Sequence, residues 1–128
     1  FPTDPRIARM IVAGEAEGAL PEVLVVAAAL TLQDPRERPQ AVAQKADEAH
    51  RRFRDERSDF VTLLRLWAFV GEAQARGTAS LRRACKESFL SFVRVREWME
   101  VHRQLQEIAG EVKLRRDARG PDEARGDA

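Results

Sequence analysis

The sequence predicts an all-α domain, and three observations lead there. Apolar residues recur at 3-4 spacing near the C-terminus, where Trp98, Val101, Leu105, Ile108 and Val112 would share one helix face. A second such face runs through Phe60, Leu63, Leu64 and Trp67. Asp-Pro, Gly and Pro punctuate the chain at intervals that suit short helices, and no segment reads as part of a sheet. The expected architecture is a bundle of about six helices, with a central apolar helix over 21–31 and a long C-terminal helix over about 95–116.

Asp4-Pro5 starts the first helix: the Asp side chain accepts from free amides as N-cap, and Pro tolerates the first helical position. That helix is expected to run to about residue 13, with Ile7, Met10 and Ile11 inward, and to stop before Gly14. A turn over 18–21 leads into the second helix. Its run Val23-Leu24-Val25-Val26-Ala27-Ala28-Ala29-Leu30 is apolar on every side, which places it at the centre; the three alanines favour helix over a buried strand. Residues 33–39, with two prolines, form a loop. The third helix, about 40–54, is strongly polar, with Ala41, Ala46, Ala49 and Phe53 as a thin inward stripe. Ser58 or Asp59 caps the fourth, which extends to about residue 75. Gly77-Thr78 breaks the chain before a fifth helix over about 80–90. The sixth carries the C-terminal stripe, and the charged, Gly- and Pro-containing residues 117–128 are expected to be a linker or disordered tail.

At 128 residues the chain is one domain's worth, and because it opens on Phe1 rather than Met it is expected to be part of a longer protein or a processed product. The formal net charge is only +1, but it is unevenly spread. Residues 76–103 hold seven basic side chains against three acidic ones, whereas residues 1–75 hold ten against twelve. A local positive excess of this kind suits contact with phosphates; an ordinary solvated helix face is the bland alternative. Cys85 is the single cysteine, which excludes an internal disulfide and a cysteine-based metal site. Its apolar setting predicts a buried thiol, as suits a reducing cytoplasm. The longest apolar run, residues 23–32, is too short to span a membrane, and no signal peptide is visible.

Several strings, taken in order, resemble the helicase-associated domain that follows the motor in DEAH-box RNA helicases, most closely the bacterial HrpA type. They are Asp4-Pro5-Arg6-Ile7-Ala8-Arg9-Met10, the apolar run from Glu22 to Leu30, Gln33-Asp34-Pro35, Ser58-Asp59-Phe60 with Leu63-Leu64 and Trp67, and Phe89-Leu90-Ser91 with Arg94, Arg96 and Glu97-Trp98. The resemblance covers roughly residues 3–105. It implies a non-catalytic, ratchet-like module over 1–116, lying after two motor domains and a winged helix and before an OB-like domain. It also implies single-stranded RNA (DNA possible) as partner, with ATP and Mg²⁺ bound only by the motor domains, and no cofactor held by these residues. Arg65 stands where Asn is usual in the family, which puts any specific polar role of that Asn in doubt here; an Arg could instead reach a phosphate.

Asp47-Glu48-Ala49-His50 spells the tetrapeptide after which such helicases are named, but it falls inside a helical pattern rather than after a hydrophobic strand. No G-x-x-x-x-G-K-[ST] phosphate cradle accompanies it, so it is expected to be a solvated helix face. His50 and His102 show no metal-ligand spacing, and His102 is expected to be a hydrogen-bonded structural residue. No serine lies in a nucleophile elbow. The chain alone is therefore expected to catalyse nothing.

Charge and resemblance agree on where nucleic acid would touch. Ser91, Arg94 and Arg96, between the fifth and sixth helices, are the first candidates for backbone contact, and Arg82, Arg83 and Lys86 the second. Phe89, Phe92, Trp67 and Trp98 fall at helical spacing and are read as core. Two other functions compete. A stand-alone protein-interaction bundle would have no nucleic-acid role, and an intact enzyme using Asp47 and His50 would hydrolyse ATP by itself.

Overall fold

The computed structural model describes the backbone of residues 4–126 and the side chains of residues 4–111 and 113. Helix α1 spans Pro5–Ala16. Asp4 caps it as expected, accepting from the Arg6 amide at 2.9 Å. The helix does not stop before Gly14; it passes through it, because the absent side chain lets α2 approach. A Cβ built on Gly14 would lie 2.7 Å from Val23 Cγ2. The helix ends instead at Gly18, whose φ of 71° is the left-handed conformation. There the Gly18 and Ala19 amides fold back onto the Glu15 and Gly14 carbonyls, satisfying groups the helix end leaves open.

Helix α2, Leu20–Leu30, is the centre of the bundle, buried without a break from Leu24 to Ala29. It packs against α1, α4 and α6. The indole of Trp98 on α6 donates to the Val25 carbonyl at 2.9 Å, a buried hydrogen bond joining α6 to the central helix. The polar third segment is shorter than its sequence predicts: a 3-10 turn, Gln40–Val42, precedes α3, Ala43–Arg51. Ala46 and Phe53 are buried as expected, whereas Ala41 is exposed on the 3-10 turn.

Helix α4, Asp59–Ala75, begins at Ser58, whose hydroxyl accepts from the Val61 amide. Its buried stripe is Leu63, Leu66, Val70 and Ala73 rather than the predicted Phe60, Leu63, Leu64 and Trp67. The helix is apolar on most sides, so the spacing did not single out one face; Phe60 is exposed, and Leu64 and Trp67 are half-buried. Helix α5, Thr78–Glu87, follows Gly77. Helix α6, Phe92–Gly126, starts three residues before the expected 95 and continues beyond 116, so the backbone is helical where composition predicted a linker or disordered tail. The apolar stripe marks only where α6 touches the core; once nucleated there, a helix extends by one hydrogen bond per residue fixed. The Val112 side chain and residues 1–3 and 127–128 lie outside the described residues.

Candidate nucleic-acid interface

The site is built on the corner between α5 and α6. Helix α5 closes at Ser88, and the chain turns through Phe89 at φ 54°. The Leu90 amide returns to the Cys85 carbonyl at 2.9 Å, the fold-back that helix ends commonly place on glycine. A bulky residue in the left-handed region is strained and persists only where its surroundings hold it. Here the Phe89 carbonyl accepts from the Glu37 amide at 2.8 Å, and its oxygen lies 2.9 Å from His50 Nε2. The Ser91 amide donates to the Pro35 carbonyl at 2.8 Å, and Arg36 and Leu90 form an antiparallel bridge between these bonds. The loop over 33–39 and the corner over 88–91 therefore form one locked unit.

The corner gives the predicted site residues different surroundings. Ser91 is the N-cap of α6: its hydroxyl accepts from the Arg94 amide at 3.2 Å. The Arg94 guanidinium reaches back across the corner, donating to the Asp34 carbonyl at 3.1 Å and to Gln33 Oε1 at 2.5 Å. Both residues thus have fold-supporting partners. Arg96 points elsewhere, since positions two apart on a helix do not share a face. It joins Arg82 of α5 instead: their guanidinium carbons lie 5.7 and 4.3 Å from the centroid of the Phe92 ring. Together they line a groove with Gln74, Thr78, Val93 and Arg103. Arg103 is neutralised there by Glu100 and Glu107, both at 2.6 Å. Arg82 and Arg96 have no carboxylate at ion-pair distance among the described residues, and both are exposed.

Stacking on Phe92 orders the two guanidiniums while leaving their N–H edges free for phosphate oxygens. Phe92, read from the sequence as core, is half-buried and packs against the core while its ring also meets these arginines. Its i, i+4 relation to Arg96 was visible in the sequence, but the approach of Arg82 exists only through the corner. Arg83 faces a different cleft, with Arg52 and Arg76, and Lys86 is exposed on α5. The structure therefore divides the six predicted residues into a locked pair, a stacked pair, and two that join neither.

Other predicted sites resolve in structural terms. Asp47 pairs with Arg38 at 2.9 Å, which holds its carboxyl below the usual range, and His50 holds the corner, so both polar ends of the tetrapeptide have partners within the fold. Arg65 donates to the Arg54 carbonyl at 3.2 Å and pairs with Asp55 at 3.5 Å, tying down the loop before α4. The His102 ring packs tilted at 46° with its centroid 4.5 Å from that of Trp67, a ring contact in place of the expected side-chain hydrogen bond, and burial lowers its pKa. Cys85 is buried, which, with Glu37 nearby, pushes its thiol up to about 11. Among the described residues no cluster of His, Cys, Asp or Glu is arranged to hold a metal ion, and no helix is long and apolar enough to cross a membrane.

The described residues thus form an all-helical bundle that carries ring-stacked arginines at a locked corner. Residues 4–63 match the family of the helicase-associated domain (HA2), ratchet-like. Over 115 residues, 89% of this chain, it is 42% identical to the ATP-dependent RNA helicase HrpA of Escherichia coli K12 and 41% identical to the HrpA homolog of Haemophilus influenzae. It is 30% identical over 113 residues to the DExH-box ATP-dependent RNA helicase DExH1 of Arabidopsis thaliana. The chain belongs to the helicase-associated domains of the HrpA type. It spans 9% of the length of the two bacterial relatives and 11% of the plant one.

Proposed function

We propose that the chain is a non-catalytic module of an ATP-dependent RNA helicase. It would help enclose single-stranded RNA and couple movement of the motor domains to passage of the strand. The observation that carries this is the 42% identity to such a helicase along 89% of the chain. The groove geometry supports it: Arg82 and Arg96 present two ordered, unneutralised cations, able to grip a backbone without reading its sequence. ATP and Mg²⁺ belong to the motor domains, and the winged-helix and OB-like domains of the same protein are its neighbours. Alone, the chain is expected to hydrolyse no ATP.

The test is salt-dependent binding of single-stranded RNA. Replacing Arg82 and Arg96 together by Gln is expected to weaken binding and to reduce the slope of log affinity against log salt by about 1.4, since each phosphate contact on a single strand contributes about 0.7. Arg94→Gln, in contrast, is expected to lower the unfolding midpoint and leave that slope in place, because its guanidinium holds Gln33 and Asp34. Unchanged affinity and slope in the double variant would remove the groove from the proposal.

A further inference from the structure

A second cleft, of about 580 Å³, opens between α3, α4 and α5 on residues outside the Phe92 groove. We propose that it binds a phosphate-class anion. Three guanidiniums line it, each from a different part of the fold: Arg52 at the end of α3, Arg76 at the end of α4, and Arg83 on α5. Arg52 is immobilised, with its guanidinium carbon 4.5 Å from the ring centroids of both Phe53 and Phe69. Its Nη2 donates to the Ser88 hydroxyl at 2.9 Å, and Arg76 Nε donates to the Ser80 hydroxyl at 3.3 Å.

In each of these bonds the hydroxyl is the acceptor. A serine hydroxyl also carries one donor, and neither proton is committed to an acceptor among the described residues. Ser88 is only 3% exposed, so its donor sits in the wall of the cleft rather than at the surface. Arg83 has no ion pair or hydrogen bond among the described residues. Two carboxylates, Glu48 and Glu87, also line the cleft, but both are exposed and neither lies within ion-pair distance of the three arginines. What remains is a net positive cleft with bidentate donors and two hydroxyl donors, the groups that tetrahedral oxyanions take. This site stands apart from the helicase proposal, because free phosphate is enough to probe it.

The experiment titrates inorganic phosphate into the 128-residue chain and follows Arg side-chain and Ser amide resonances by NMR. Saturable shifts are expected at Ser80, Ser88 and Arg83. Arg83→Gln is expected to weaken the affinity about tenfold, as the loss of a charge-assisted contact would, while Arg9→Gln on α1, outside both clefts, leaves it unchanged. Glu87→Gln is expected to tighten it. RNA oligonucleotides with a 5′-phosphate or a 5′-hydroxyl then compete with phosphate. Competition by the phosphorylated strand alone identifies an RNA end as the source, competition by both identifies the backbone, and competition by neither identifies the free anion. Absence of saturable shifts at these residues, or equal affinity in Arg83→Gln and the unmodified chain, would overturn the proposal.

Discussion

Gly14 and Gly71 are both interior helical glycines, and the structure predicts that the same substitution has opposite signs at the two. Glycine to alanine in a helix interior gains about 1 kcal/mol from propensity alone. At Gly71 nothing lies within 4 Å of the position a Cβ would take, so Gly71→Ala is expected to stabilise by roughly that amount. At Gly14 the added Cβ meets three carbons of Val23, at 2.7 Å (Cγ2), 2.9 Å (Cβ) and 3.1 Å (Cγ1). Rotation of the valine moves the two methyls but not its Cβ, so α1 and α2 must separate by a few tenths of an ångström. Overpacking of this kind costs about 1–3 kcal/mol, which exceeds the propensity gain and leaves Gly14→Ala destabilising by about 1 kcal/mol. Urea unfolding followed by circular dichroism measures both variants against the unmodified chain. Val23→Ala removes two of the three close carbons, so in that background the Gly14→Ala penalty should shrink without vanishing, a coupling the double-mutant cycle reads directly. A raised midpoint for Gly14→Ala in the unmodified background would refute the close approach of α1 and α2.

Two further outcomes follow from the corner and from α6. His50→Ala removes one of the two groups holding the Phe89 carbonyl and is expected to cost about 1 kcal/mol in the same unfolding assay, with His50→Gln recovering much of it. His102 is a base whose folded pKa is lowered by burial from 6.5. Its contribution to stability is therefore present above pH 6.5 and lost as pH falls through the lower folded value. Unfolding midpoints across pH 5 to 7 should decline towards the acid end, and His102→Gln should flatten that decline.

What the sequence showed and what it hid have physical reasons. The helices were legible because their ends are chemical: Asp4, Ser58 and the Gly77 break sit where the caps and the turn are found. Helix α2 was legible as the centre because Leu24 to Ala29 offers no polar face to water. Inward faces were harder to assign. On α4 apolar residues surround the helix, and which of them are buried depends on α2 and α5 packing alongside. Gly14 read as a stop because glycine serves both at helix ends and at close approaches, and only the partner helix tells these apart. The candidate site was visible as a stretch of positive charge but not as an arrangement. Ser91 and Arg94 were chosen from the positive stretch and the family resemblance; in the structure the Ser91 hydroxyl caps α6 and the Arg94 guanidinium reaches the loop over 33–39. The pairing of Arg82 with Arg96 across Phe92, and of Arg83 with Arg52 and Arg76, requires residues that sequence keeps apart.

The locked corner also has a consequence in time. Helices grow from local contacts within microseconds, but the bond from Arg94 to Asp34 joins residues 60 positions apart. Closing such a loop costs about 1.6 kcal/mol more entropy than closing one of ten residues. The Trp98 bond to Val25 spans 73 positions but is buried, whereas the Arg94 bond is exposed; exposed bonds open at lower free energy, so the corner should reopen before the Trp98 layer. The amides of Glu37 and Ser91, both bonded across it, would then exchange with solvent through a partial opening that leaves the Trp98 layer closed. The groove arginines would thus sit beside a part of the fold that opens before its centre, and a strand drawn past them would tighten that part by occupying it.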